Sequence, residues 1–119
     1  MRVFLIAGEA SGDRLGAPLI RALRARGVEE ILGIGGEMME AEGLRPVFPA
    51  SDLAVMGLAE VLPRLPLILR RMREATAAVA AARPDALVTI DSPSFSLRVA
   101  KRAKRARPGL KVIHYVAPS

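Results

Sequence analysis

The sequence predicts an α/β fold, in which a parallel β-sheet carries helices on both faces. Short apolar runs, typical of strands buried on both faces, alternate along the chain with longer segments of helical periodicity. The junctions between them carry glycine, proline and polar residues typical of turns. Because strands separated by helical segments form parallel sheets through right-handed crossovers, we expect one sheet of this kind.

Five elements are predicted in the first part of the chain. Residues 2–7 are an apolar run, as expected of a buried strand, and residues 13–26 repeat leucine at helical spacing until a glycine ends the pattern. Residues 31–34 form a short second strand that enters a glycine-rich turn. Residues 38–42 form a short helix closed by glycine, and residues 45–48 form a third strand that ends at a proline.

Four further elements follow. Residues 55–82 are mostly helical, and we expect its two prolines, Pro63 and Pro66, to mark a break and a restart, because proline is tolerated in a first helical turn but not in an interior. Residues 86–90 form a clean apolar strand. The last two elements are a basic helix over residues 94–107, ended by a Pro-Gly pair, and a strand over residues 111–116.

Composition indicates one globular domain. The chain has 119 residues, 51% of them apolar, and no linker, repeat or low-complexity tract. It contains no cysteine, which excludes disulfides and thiolate metal sites and is compatible with a reducing cytoplasm. The sequence shows neither a signal-peptide pattern nor an apolar stretch of about 20 residues, so we expect neither secretion nor a membrane-spanning helix.

The net charge of +6 fits nucleic acid, an anionic membrane surface or a phosphorylated substrate. Nucleic-acid modules commonly stack bases on aromatic side chains. The aromatic residues here are few and lie largely within apolar runs, where we expect core roles: Phe4, Phe48, Phe95 and Tyr115. The sequence therefore argues against nucleic acid as the partner.

A polar turn follows the first strand at residues 8–13, and we call it the first turn. Backbone amides at such a strand-to-helix junction suit an anionic or sugar ligand. Its candidate ligand-binding residues are Gly8, Glu9, Ser11, Gly12 and Asp13. Ser11 or Asp13 can equally cap the helix, and the glycines can serve backbone geometry alone, whereas Glu9 has no evident structural need. The glycine spacing is not the dinucleotide pattern, which argues against an NAD-type cofactor.

Asp91 follows the strand over residues 86–90 directly. A carboxylate at the carboxyl end of a buried strand faces the ligand crevice of a parallel sheet and can act as a general base; it can also simply cap the turn that follows. His114, the single histidine, lies inside the last strand, where a packed or supporting role is the favoured interpretation.

The segment 56–71 holds more apolar residues than a one-sided helix needs. Leu65, Ile68, Leu69 and Met72 can form a core face at helical spacing, which leaves other leucines over. Two interpretations stay open: a helix buried against another domain, or an interfacial membrane-docking surface flanked by arginines. The candidate docking residues are Val61, Leu62, Leu65, Ile68 and Leu69.

Six motifs in order give the chain a specific resemblance to the lipid-A-disaccharide synthase family. They are AGEASGD at 7–13, GIGG at 33–36 with Met39, AEG at 41–43, LAVMG at 53–57 with EVL at 60–62, IDSP at 90–93 and HYVAPS at 114–119. The resemblance spans the whole chain but only about the first third of such an enzyme. We therefore expect a fragment whose natural sequence continues past Ser119.

The resemblance implies the N-terminal half of a GT-B type glycosyltransferase, built of two Rossmann-like domains. Residues 1–119 would be the single acceptor-side domain, inactive alone, and the absent C-terminal domain would bind the UDP-sugar. The implied reaction is an inverting, metal-independent and cofactor-free transfer from UDP-diacylglucosamine to the primary hydroxyl of diacylglucosamine 1-phosphate. The implied location is cytoplasmic, peripheral on the inner face of the inner membrane.

The resemblance also implies residue roles. Asp91 matches the family's general base, and the matched substrate-binding positions are Gly8, Glu9, Ser11, Gly12, Asp13, Met56 and Ser92. After Asp91-Ser92-Pro93 the family usually carries an acid, Phe and Asn, whereas this chain has Ser94, Phe95 and Ser96, which changes the polar neighbours expected for Asp91. Two alternative functions stay open: a nucleotide-sugar epimerase-type enzyme of similar architecture, and a non-catalytic membrane-associated binding module.

Overall fold

The protein is a parallel sheet covered by helices. A computed structural model describes residues 1–8, 10–49, 58–90 and 93–115. The elements of this part of the chain are, in order, β1 (Arg2–Ile6), α1 (Ala10–Ala25), β2 (Glu30–Ile34), α2 (Glu37–Ala41), β3 (Arg45–Pro46), α3 (Leu58–Ala82), β4 (Ala86–Ile90), α4 (Pro93–Ala106) and β5 (Lys111–Tyr115).

The strands lie in the order β3-β2-β1-β4-β5, and every neighbouring pair is parallel. The chain therefore steps outward from β1 to β3 and then returns to the other side of β1 for β4 and β5. Open parallel sheets bind ligands outside the carboxyl ends of their strands at such a reversal. The register places Ile6 of β1 opposite Thr89 of β4, so these two strands end side by side. The α/β, Rossmann-like fold class is confirmed.

Each face of the sheet has its own core, because alternate residues of a strand point to opposite sides. Phe4 and Ile6 of β1 are buried among residues of α3 and α4. Val3 and Leu5 are buried on the opposite face, among residues of α1 and α2. The prediction of helices on both faces is thereby confirmed.

The phenylalanines occupy the core, as predicted. Phe4, Phe48 and Phe95 are buried, and the rings of Phe48 and Phe95 meet edge to face with centroids 6.4 Å apart. Tyr115 differs: it lies on β5, the edge strand, with 39% of its surface exposed. A core role for Tyr115 is therefore wrong for the described part of the chain, because no described element covers that end of β5.

Several predicted boundaries differ from the observed ones. α3 runs without interruption through Pro63 and Pro66, so the predicted break and restart are wrong. Both prolines are exposed, so their rings lie toward water rather than in the core. β3 is shorter than predicted, because Pro46 on an edge strand has no N–H for a longer ladder. The helix predicted over residues 13–26 begins earlier, at Ala10.

Gly33 shows why β2 needs a glycine next to β1. Its φ is +142°, and an added Cβ atom would lie 1.8 Å from the carbonyl oxygen of Leu5. Any side chain at this position would overlap the neighbouring strand. The second glycine-rich motif is therefore required by the pairing of β1 with β2.

Candidate functional site

The first turn of α1 packs directly on the carboxyl end of β4. A Cβ atom added to Gly12 would lie 2.9 Å from the carbonyl oxygen of Ile90 and 3.1 Å from the Cβ of Ala7. Only glycine allows the helix to approach the two strands this closely. The first turn of α1 and the carboxyl ends of β1 and β4 consequently lie together at the point where the strand order reverses.

Asp13 caps the N-terminus of α2. Its carboxylate accepts hydrogen bonds from the backbone N–H groups of Gly36, Met38 and Met39 at 3.0, 3.1 and 2.9 Å. The first N–H groups of a helix have no partner within the helix, and a negative charge there is favourable. The prediction that Asp13 caps its own helix is wrong, because α1 begins before it and the carboxylate points to a second helix.

The glycine-rich turn before α2 is shaped by this contact. A Cβ atom on Gly36 would lie 2.6 Å from Oδ2 of Asp13, and one on Gly35 would lie 2.6 Å from the sulfur of Met39. Gly16 of α1 contacts the same sulfur, since a Cβ atom there would lie 2.5 Å from it. Met39, fully buried, fills the space between the two glycines. α1 and the turn at residues 33–36 thus pack together through Asp13 and Met39.

The packing of α1 against the turn at residues 33–36 was not evident from the sequence. The resemblance included Asp13, Gly36 and Met39, but nothing paired them. The available signal was the start of α2 itself, where Gly36 at the N-cap has no side chain to satisfy the helix N–H groups. A carboxylate from elsewhere in the chain can accept the hydrogen bonds that a capping side chain at this position would otherwise accept.

The other predicted site residues divide into two groups. Gly8 is buried, and Ser11 is half-buried in the first turn of α1. Four predicted residues lie outside the described residues: Glu9, Met56, Asp91 and Ser92. The structure brings together β1, β4 and the start of α1, which flank Glu9 and Asp91, and the roles of all four residues stay predictions.

Two polar side chains lie just below the end of β4. Oγ1 of Thr89, a buried residue, and Nδ1 of His114 on β5 are 2.5 Å apart, in the paired register of the two strands. This hydrogen bond orients the imidazole. His114 is exposed, so a packed role is wrong for the described part of the chain, and a supporting role stays a prediction.

Ser96 presents a buried hydroxyl near the start of α4. It has no exposed surface, and its Oγ has no hydrogen-bond partner among the described residues. A serine in a helix commonly donates to the carbonyl four residues earlier, which here belongs to Ser92, outside the description.

The apolar segment of α3 is split between core and surface. Met72 is buried and Ile68 packs partly on the core, whereas Leu65 and Leu69 each keep 40% of their surface exposed. The predicted core face is therefore wrong for the two leucines, which lie one turn apart on the outer side. The side chains of Val61 and Leu62 lie outside the description.

The surroundings of the exposed leucines are basic. Arg70 and Arg73 are exposed, and they line a surface hollow of about 490 Å³ together with Pro66, Leu67 and Glu74. Glu74 lies 3.6 Å from Arg70, so Arg73 is the cation of this hollow without a described ion pair. An apolar pair beside arginines is typical of a surface that meets lipid. Within the described part of the chain, no helix is both long and apolar enough to cross a membrane.

The family model and the curated relatives that match this chain all point to the same family. Residues 3–119 match the lipid-A-disaccharide synthetase family. The chain is 52% identical to the lipid-A-disaccharide synthase of Nitrobacter hamburgensis, over 99% of this chain and 30% of the relative. It is 53% identical to that of Pseudomonas paraeruginosa, over 100% and 31%. It is 51% identical to that of Rhodospirillum centenum, over 98% and 30%. The chain spans about 30% of the length of these curated relatives.

Proposed function

This chain belongs to the lipid-A-disaccharide synthetase family, and we propose that its protein joins UDP-diacylglucosamine to diacylglucosamine 1-phosphate with release of UDP. Residues 1–119 form the acceptor-side domain in this proposal. The proposal places the UDP-sugar site outside residues 1–119, which span 30% of the length of a curated relative. Residues 1–119 alone are accordingly inactive in sugar transfer.

The observation that carries the proposal is the contact of Gly12 with Ile90. Ligands of open parallel sheets bind where the strand order reverses, and this contact lies at that point. In the proposal, the residues that contact the acceptor are Gly8, Glu9, Ser11, Gly12, Met56 and Ser92. Asp13 contributes by holding the turn at residues 33–36 against the first turn.

Asp91 is the general base of the proposed mechanism. Its carboxylate takes the proton of the acceptor's primary hydroxyl as that oxygen attacks the anomeric carbon of the donor. The new bond forms on the face opposite the leaving UDP, whose bond to the same carbon breaks with its electron pair, so the configuration inverts. No metal ion or cofactor takes part in this step of the proposal.

The same protein would lie on the inner face of the inner membrane, where acylated substrates are available. The predicted docking residues are Val61, Leu62, Leu65, Ile68 and Leu69. The exposure of Leu65 and Leu69 beside Arg70 and Arg73 supports this location. Ile68 contributes less, because it packs partly on the core.

The reaction is tested by mixing the two substrates with the protein as the cell makes it and measuring UDP and disaccharide together. We expect equal amounts of both products, undiminished by a metal chelator. The separate chain of residues 1–119 should yield neither. UDP release without disaccharide would contradict the proposed acceptor, and transfer by residues 1–119 alone would contradict the division of the site.

A further inference from the structure

α4 presents a continuous stripe of positive charge to solvent. One side of the helix is buried in the core, through residues such as Val99 and Ala103. The opposite side carries four exposed cations at spacings of one, three and four residues, which we call the α4 stripe: Arg98, Lys101, Arg102 and Arg105. The helix contains no acidic residue.

The charge of the α4 stripe is not balanced within the described part of the chain. None of its four side chains forms an ion pair with a described residue. Some arginines of other elements do pair with acids, as Arg21 of α1 does with Glu42 at 2.5 Å. Like charges three and four residues apart destabilise a helix, and only the final turn is favoured by the helix dipole. The stripe therefore opposes helix stability unless an anion lies against it.

We propose that the α4 stripe docks the protein on an anionic lipid bilayer by binding headgroup phosphates, as an electrostatic anchor separate from the exposed leucines of α3. α3 and α4 pack side by side on the same face of the sheet. Their outer sides belong to one layer, so a flat anionic surface can meet both helices. Leu97, 40% exposed, adds an apolar contact within the stripe itself.

A bilayer fits this surface better than nucleic acid does. Single-stranded nucleic acid is held by basic grooves combined with aromatic side chains that stack on bases. Phe48 and Phe95 are buried in the core, and the one exposed aromatic side chain among the described residues, Tyr115, lies on the edge strand β5 rather than on α4. The choice of lipid as the anion rests on the proposed function, whereas the charge of the stripe stands on the structure alone.

The test compares two double variants of the protein as the cell makes it. Arg98→Gln with Arg102→Gln removes two charges from the α4 stripe. Arg14→Gln with Arg26→Gln removes two exposed charges from the α1 side and serves as the matched control. Binding is measured by co-sedimentation with vesicles of phosphatidylcholine alone and of equal parts phosphatidylcholine and phosphatidylglycerol, at low and at physiological ionic strength.

Each cation near an anionic bilayer strengthens binding roughly fivefold, so the stripe variant should bind anionic vesicles about 25-fold more weakly at low salt. The difference should shrink as salt screens the charges. Binding to neutral vesicles should not change, and the control should bind like the wild type. The midpoint temperature of thermal unfolding should be unchanged or slightly higher in the stripe variant, because repulsion between like charges is relieved.

Turnover on detergent-dispersed substrates separates this inference from the proposed function. In detergent the stripe variant should have the same turnover as the wild type. If the wild type shows no turnover, the proposed reaction is rejected, while the vesicle-binding result still tests the α4 stripe. Equal vesicle binding by the stripe variant and the wild type, or an equal loss in the control, would overturn the inference. Tighter stripe-dependent binding to a single-stranded oligonucleotide than to anionic vesicles would overturn the choice of lipid.

Discussion

Gly12, in the first turn of α1, lies against the end of β4, where a Cβ atom on it would be 2.9 Å from the carbonyl oxygen of Ile90. This contact shows how closely the first turn of α1 packs on the end of β4, at the point where the strand order reverses. The contact therefore links a local backbone requirement to the geometry of the acceptor site.

Replacement of Gly12 by alanine should destabilise the fold by about 1–3 kcal/mol, because the added methyl meets backbone and a buried alanine rather than a flexible side chain. Urea unfolding measures the change. Gly109→Ala is the matched control, since its Cβ would meet nothing within 4 Å. Equal stability of the Gly12 variant and the wild type would show that the contact is looser than described.

Replacement of Asp13 by alanine should cost about 2–3 kcal/mol, because three backbone N–H groups of the α2 N-terminus lose their acceptor in a largely buried place. Asp85→Ala is the control, because this exposed carboxylate accepts a bond from the N–H of Arg2 alone. Hydrogen exchange of Met38 and Met39 amides should accelerate in the Asp13 variant. Unchanged protection of these amides would contradict the capping role.

Replacement of both Leu65 and Leu69 by serine should weaken vesicle binding without unfolding the protein. Each leucine has exposed surface worth about 1 kcal/mol on transfer from water, so the pair should account for roughly thirtyfold in partitioning. This loss should persist at high salt, unlike an electrostatic one. Met38→Ser is the control, because Met38 is 48% exposed on the opposite face. A lowered melting temperature with unchanged vesicle binding would contradict the docking role and show that the two leucines stabilise the fold by packing.

The pKa of Glu30 lies below its ordinary value, because Arg2 donates a hydrogen bond to its carboxylate at 2.6 Å and adds a favourable charge. The pair's contribution to stability is therefore present above the ordinary glutamate pKa and is lost as the pH falls through the lowered one. In Arg2→Gln the pKa of Glu30 should rise toward its ordinary value, as followed by NMR titration. Arg14→Gln should leave it in place, and an unmoved Glu30 pKa in Arg2→Gln would contradict the pairing.

Local patterns predicted the sheet well. Both boundaries of the strand Ala86–Ile90 were predicted correctly, because all five residues are buried and residues typical of turns flank them. The third strand and α3 were predicted less well, because the edge position of Pro46 and the exposure of Pro63 and Pro66 depend on neighbours that the sequence does not reveal.

The candidate site depends on contacts distant in sequence. Asp13 reads as a local helix cap, yet its three partners lie 23 to 26 residues away. The local sequence predicts a turn residue at Gly12, yet the requirement for glycine there comes from its close contact with the carbonyl oxygen of Ile90. Parallel-strand topology indicates that the two segments share an edge, but not which atoms meet there.

The most direct test of the account is the turnover of Asp91→Asn in the protein as the cell makes it. Asp85→Asn, at the opposite end of the same strand, is the matched control. Loss of a general base should lower kcat by about 10²- to 10⁴-fold while leaving acceptor binding and thermal stability near the wild type, and the control should keep its turnover. Near-normal turnover by Asp91→Asn would contradict the proposed site.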